Sequence, residues 1–153
     1  MTVRTSAGTT LKVSASAPAT FDVAGYSALT YTTVGEITDL GEFGREYTLV
    51  THNPVGTRGT QKFKGSFNEG TMTLSLGLDT DDAGQILMKA ALLADTPYSF
   101  VVTTQNGDKY YFRAMVMSFK VGVGSVDSIT TATCTLELTT SPNGIGIVES
   151  LAP

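Results

Sequence analysis

The sequence has no tryptophan, one histidine and one cysteine among its 153 residues, and each scarcity removes a class of explanation. A lone cysteine, Cys134, forms no intrachain disulfide and cannot begin a multi-cysteine metal site, so stability has to come from packing. The usual nucleophilic pairs need a base beside Ser or Cys, and only His52 is on offer. It stands in an irregular stretch with Pro and Gly, whereas Cys134 sits inside an alternating apolar pattern, so no catalytic residue is assigned. The missing tryptophan removes the strongest sugar-stacking platform and leaves six tyrosines as partial substitutes. Charge is scarce as well: 16% of residues are charged, the net charge is -4, and no basic excess exists to release counterions from nucleic acid. The N-terminal residues, with Thr2, Arg4 and Ser6, hold no apolar run of signal-peptide or membrane length. Synthesis in the cytoplasm is therefore expected, with no membrane partner.

Motifs that resemble ligand sites are incomplete. In "DTDDAG", Asp79 and Asp81 imitate the opening of a calcium loop, but its fifth and twelfth positions are Ala83 and Ala90, which supply no oxygen ligand. Helix capping is the simpler reading. "GTRGTQK" lacks the Gly-Lys-Ser/Thr ending of a phosphate loop and leads into a strand. "GVGSVDS" also runs strand to strand, so no helix N-terminus waits for a pyrophosphate. No cofactor and no metal is assigned.

What the sequence does have is period-two alternation. Met72, Leu74, Leu76 and Leu78 face one way against Thr71, Thr73 and Ser75, and Ala132, Cys134, Leu136 and Leu138 oppose Thr131, Thr133, Thr135 and Glu137. "YSFVVTT-QNGD-KYYFRAMVMSFKVGV" predicts a hairpin, with Asn106 and Gly107 in a type I′ turn. In its second strand the apolar phase changes from Tyr110, Phe112, Ala114 and Val116 to Met117, Phe119 and Val121. Either a bulge shifts the phase or both faces are covered. "TTLKVSA", "GEITDL", "EYTLV" and "QKFKGSF" are four further strands. One helix is predicted over about 81–94, capped by Thr80, with Asp81 and Asp82 in its first turn. Its stripe is Ala83, Ile86, Leu87, Ala90, Leu93 and Ala94, and Met88 and Leu92 lie off it, as ordinary surface apolars or as a second contact face. The expectation is a single mainly-β domain over 1–153, a β-sandwich or small barrel with one flanking helix. Residues 1–8 form a flexible arm and 141–153 a loose tail.

The run "GQILMKAALLADTPYSFVVTTQNGDKYYFRAMVMSFKVGVGSVDSITTATCTLELTTSP" resembles the tail tube proteins, or major tail proteins, of long-tailed bacteriophages of the siphophage type. These are similar in fold to the tube proteins of contractile tails and type VI secretion. The resemblance lies in the order helix, extended segment, Asn-Gly hairpin, aromatic-Arg strand at Phe112 and Arg113, glycine corner and Thr-rich last strand. "SAGTTLKV" matches the opening strand after a flexible arm. The resemblance implies a non-enzymatic virion protein that self-assembles into hexameric rings stacked as the tail tube, the conduit for DNA ejection. It further implies a tape measure protein, a tail terminator and distal tail or baseplate proteins as partners, with genome DNA crossing the lumen without specific binding.

The same resemblance gives a role to "THNPVGTRGTQKFKG", which holds His52 and three of the ten basic residues and no acid. Its loop, about 51–60, would become ordered against a neighbouring subunit. Arg58, Lys62 and Lys64 become candidates for intersubunit pairs with Asp79, Asp81 or Glu69. Because surface ion pairs contribute only about 0–1 kcal/mol each, Tyr47, Leu49 and Phe63 are expected to carry the apolar part of the contact. The alternative is a β-sandwich binding module for a glycan or protein ligand.

Overall fold

In the computed structural model, which describes residues 3–153, the elements follow in the order β1 (Thr10–Ser14), α1 (Val23–Ser27), β2 (Thr32–Thr33), β3 (Ile37–Asp39), β4 (Glu46–His52), β5 (Gln61–Asn68), β6 (Thr71–Gly77), α2 (Ala83–Leu93), β7 (Tyr98–Thr103), β8 (Lys109–Gly122), β9 (Thr131–Thr139) and β10 (Val148–Ser150). The main sheet runs β2-β1-β7-β8-β9-β6-β3, with β10 added to the first part of β8. Every pairing is antiparallel. The expected mainly-β architecture takes the form of one curled sheet, an open half-barrel, with α2 on one face.

Alternation decides what is buried. Leu11 and Val13 of β1, Met72, Leu74 and Leu76 of β6, Phe100 and Val102 of β7, Phe112, Ala114 and Val116 of β8, and Ala132, Cys134 and Leu136 of β9 form one core under α2. Phe100 and Phe112 stack with ring centroids 5.6 Å apart. A smaller cluster of Tyr26, Val101 and Tyr111 lies on the other face, under the short helix α1, which the sequence patterns did not reveal. The rest of that second face is open. It presents Thr71 and Thr73 of β6 and Thr131 and Thr133 of β9, whose alternate neighbours are all core.

The phase change in β8 is a bulge. Val116 opposes Leu136, Ser118 opposes Thr135, and the residue between them, Met117, has no partner. Phe119 and Val121 thereby return to the face of Cys134 and Ala132. The β7–β8 hairpin is present, but its turn differs from the expected type I′. The Gly107 N–H donates to Thr104 O (3.0 Å), Gly107 has φ +94°, and Asn106 is not left-handed, so a type I turn is followed by a left-handed glycine. Hydrogen bonds from Thr104 to Asn106 and from Asn106 to Asp108 hold it there.

The helix corrects two expectations. It begins two residues later than predicted, because Asp82 and not Thr80 is the N-cap: its carboxylate accepts from Gln85 N (3.0 Å) and from Gly35 N (3.0 Å). A tertiary partner thus selects the cap. The buried face is Gly84, Gln85, Met88 and Ala91, whereas Ala83, Ile86, Ala90 and Leu93 of the expected stripe are exposed. Gly84 lets the helix approach β2 closely, since a Cβ there would lie 2.2 Å from Thr33 O. Gln85 then donates to Gly35 O (3.1 Å) and Gly77 O (2.9 Å) and accepts from Asp79 N (3.0 Å).

Of the expected flexible arm, residues 1 and 2 lie outside the described residues, and Val3–Gly8 are exposed with no strand or helix. The C-terminal tail is not loose: β10 pairs with β8, and the Ala152 N–H donates to Asp108 Oδ1 (2.7 Å).

Candidate assembly site

The stretch expected as a loop is the end of a hairpin. β4 and β5 pair from Glu46 opposite Asn68 to His52 opposite Gln61, so Thr51 and His52 belong to a strand and the loop narrows to 53–60. The pairing continues the β3–β6 ladder. Ile37 opposes Leu76 and Asp39 opposes Ser75, and past Gly41 and Gly44 the same two chain segments resume as β4 and β5. One long ribbon therefore leaves the main sheet at the Thr71 end of β6 and projects as an arm.

Cross-strand partners share a face. Tyr47, Leu49, Lys62, Lys64 and Phe67 lie on one side of the arm, and Val50, His52, Gln61 and Phe63 on the other. Neither side is covered: Leu49 is 62% exposed and Phe63 54%. Lys64 Nζ stands 4.7 Å from the centroid of Tyr47. Arg58 is at the exposed tip, and His52 ends β4 in solvent. A two-stranded hairpin with no packed face is marginal in water, and this one leaves Leu49, Val50 and Phe63 exposed.

The base of the arm is rigid. Glu69 is buried, and its carboxylate accepts from Arg45 Nε (2.7 Å) and Ile147 N (3.2 Å). Arg45 also lies over the ring of Phe67, 3.8 Å from its centroid, and donates to Tyr47 Oη (3.3 Å). Hydrogen bonds to Tyr47 and Glu69 hold its guanidinium above the usual arginine range. The clip joins the arm, the main sheet and the tail before β10. It also removes Glu69 from the expected intersubunit acids, because that carboxylate is sequestered in its own chain.

Asp79 and Asp81 are exposed at the opposite end of β6, between Gly77 and α2, where the Asp81 N–H donates to Asp79 Oδ1 (3.0 Å). Met88, considered as a second contact face, is 0% exposed in the core of its own chain, and Leu92 packs against the same core. Phe112 is likewise core. Arg113 donates to Pro97 O and so ties the link after α2 to β8, while burial lowers its pKa and leaves its Nε without a partner. Among the described residues no group of three His, Cys or carboxylate side chains could hold a metal. No helix among them is long and apolar enough to cross a membrane. Tyr26 and Tyr111 are buried, Tyr31, Tyr98 and Tyr110 half-buried, and only Tyr47 is exposed, so no tyrosine platform for a glycan forms.

No protein-family model matches the sequence, and no curated protein does. Solved structures do match over almost the whole chain. A chain of the six-fold symmetrised baseplate of the anti-feeding prophage superposes with a TM-score of 0.68 at 11% identity, covering 91% of this chain and 93% of that one. A chain from the tail of the empty gene transfer agent particle, with C6 symmetry, gives 0.65 at 11% identity, covering 99% and 100%. The SPP1 tail tube gives 0.59 at 12% identity, covering 94% of this chain and 77% of that one. At such identities the likeness is one of fold, and the curled sheet, its flanking helix and the element order are what is shared. The chain has the tail-tube fold.

Proposed function

We propose that this protein is a structural, non-enzymatic tail subunit that assembles into hexameric rings stacked as a tube, through which the genome passes at ejection. The observation that carries the reading is the arm. An eight-residue strand and a seven-residue strand form a ribbon with apolar side chains on both faces and no cover, on a fold shared with chains of six-fold tail and injection particles. The open Thr and Ser face of β6 and β9 suits a lumen lining, because hydroxyl groups present no fixed charge to a passing phosphate backbone. Its one acid among those strands, Glu137, accepts from Thr71 Oγ1 (2.7 Å). A tape measure protein, a terminator and distal tail proteins would be the further partners, and the virion the site of action.

Negative-stain electron microscopy of the concentrated protein is expected to show rings and tubes, and replacing 53–60 by a short Gly-Ser turn is expected to leave a folded subunit that does not form tubes. Particles that stay monomeric under all conditions, with or without a tail initiator complex, would overturn the reading. Normal tubes from the shortened protein would overturn the role given to the arm.

A further inference from the structure

Two of the four asparagines stand before glycine, Asn106 and Asn143, and both occupy the same kind of turn. In each, the glycine N–H closes a four-residue turn, Gly107 onto Thr104 O (3.0 Å) and Gly144 onto Ser141 O (2.9 Å). Both glycines are left-handed, with φ +94° and +82°. The backbones match, so a difference in reactivity between the two has to come from what surrounds the carboxamides.

Those surroundings differ. Asn106 is half-buried and tied at both ends of its carboxamide: Oδ1 accepts from Thr104 Oγ1 (2.6 Å) and Asp108 N (3.4 Å), and Nδ2 donates to Asp108 Oδ2 (2.9 Å). Ala152, held by Asp108, stands over Gly107, where a Cβ would lie 3.6 Å from its methyl group. Asn143 is exposed, and among the described residues only its backbone N–H is bonded, to Ser141 Oγ (3.3 Å). A Cβ on Gly144 would meet nothing within 4 Å. The other two asparagines lack this opening. Asn53 precedes Pro54, whose nitrogen bears no hydrogen, and Asn68 precedes the buried Glu69 and accepts from Gly70 N (2.9 Å).

We propose that Asn143 is a site of spontaneous covalent modification, converted to aspartate and isoaspartate as the protein ages, while Asn106 is protected within its turn. The Gly144 nitrogen, having lost its proton to solvent, attacks Asn143 Cγ. The new N–C bond closes a succinimide, the Cγ–Nδ2 bond breaks, and Nδ2 takes a proton from solvent and leaves as ammonia. Water then opens the ring at either carbonyl: attack at Cγ leaves aspartate, and attack at the main-chain carbon leaves isoaspartate, in which the chain runs through the side-chain carbon. Water is the sole co-reactant, and the chemistry belongs to the single chain. At Asn143 the first step gives up the bond between Gly144 and Ser141. At Asn106 it gives up the equivalent bond and three more to the carboxamide, enough to slow it by at least about ten-fold.

The consequence reaches the base of the arm. Isoaspartate lengthens the main chain by one carbon and adds a carboxylate in a turn closed by Ser141 N on Ile145 O (2.8 Å) and by Ile145 N on Ser141 Oγ (3.1 Å). Gly146 and Ile147 follow at once, the first against Glu69 and the second donating to its carboxylate (3.2 Å). Modification therefore loosens the tail from Glu69 and leaves Arg45 in place.

Ageing of full-length protein in mildly alkaline buffer tests this, with peptide mapping by mass spectrometry and labelling by an isoaspartate methyltransferase. Folded protein is expected to gain aspartate and isoaspartate at 143 at least about ten-fold faster than at 106. In urea the two rates are expected to converge, because both are then Asn-Gly in an open chain. On ageing, the Ile147 amide is expected to lose protection from hydrogen exchange in the wild type and to keep it in Asn143→Gln, whose exposed side chain has no partner to lose and closes the ring far more slowly. Equal rates at the two positions in folded protein would overturn the proposal. So would product at 143 in urea but none in folded protein, or a ten-fold difference that persists in urea. An Ile147 amide equally protected before and after modification would overturn the effect on the tail.

Discussion

Glu69 shows how much a single side chain organises in this protein. Its carboxylate gathers the arm through Arg45 and the tail through Ile147, and Gly146 is small because a Cβ there would come within 2.3 Å of Glu69 Cδ. Glu69→Ala leaves Arg45 and the Ile147 amide without their acceptor, and is expected to cost about 1–3 kcal/mol in urea unfolding. Gly146→Ala should destabilise the wild type and cost less in the Glu69→Ala background, because the side chain it strikes is gone; equal costs in both backgrounds would break the claimed coupling. Little of this was legible in the sequence. A glutamate near the end of a predicted strand reads as one more surface acid, and nothing local says that Arg45 and Ile147, 24 and 78 residues away, converge on it. Cys134 was legible, because a small residue on the apolar side of a clean alternation has only the core to enter.

Among the elements, strands were easier to read than the helix. Alternation fixes which side of a strand is buried whatever lies across from it, so β6, β9 and the paired strands of the β7–β8 hairpin follow from local pattern, whereas the phase slip at Met117 allowed a bulge or two covered faces and only the pairing decides for the bulge. The buried side of α2 does not follow from its apolar residues. Gly84 and Gln85 take the inner positions because close approach to Thr33 and three backbone hydrogen bonds to Gln85 decide the docking. Those partners belong to other elements, and no helical periodicity encodes them. Gln85→Leu strands two carbonyls and an amide and is expected to lower stability by about 1–3 kcal/mol. Ile86→Ser, on the outer side, is expected to change it by no more than about 0.5 kcal/mol. Thermal or urea unfolding of the two variants gives the comparison, and a costlier Ile86→Ser would mean that the helix face has been misassigned. The hairpin arm was half legible: both strands were foreseen, but their apolar residues gave no hint that they leave the main sheet.

At the scale of the whole molecule, the main sheet keeps a long unpaired edge within β8 among the described residues. β7 accompanies β8 only as far as Ala114, so on that side Met115–Gly122 has no strand neighbour among the described residues, while β9 pairs with the other side. Such an edge invites another strand, which the adjacent copy would supply in the proposed ring. Amides on that side are expected to exchange quickly in the free subunit and slowly in tubes, as measured by hydrogen exchange; fast exchange in both states would leave the edge out of the ring contact. The ribbon formed by β3, β4, β5 and β6 has a mechanical consequence. A pull on the arm along its strands moves both of them together, so their mutual hydrogen bonds are spared and the load passes down β6 into the main sheet. The same β6 is bonded to β9 along its whole length, so the load spreads into the sheet. The arm is thus anchored against a pull by the full length of β6, whose bonds to β9 share the load side by side in shear.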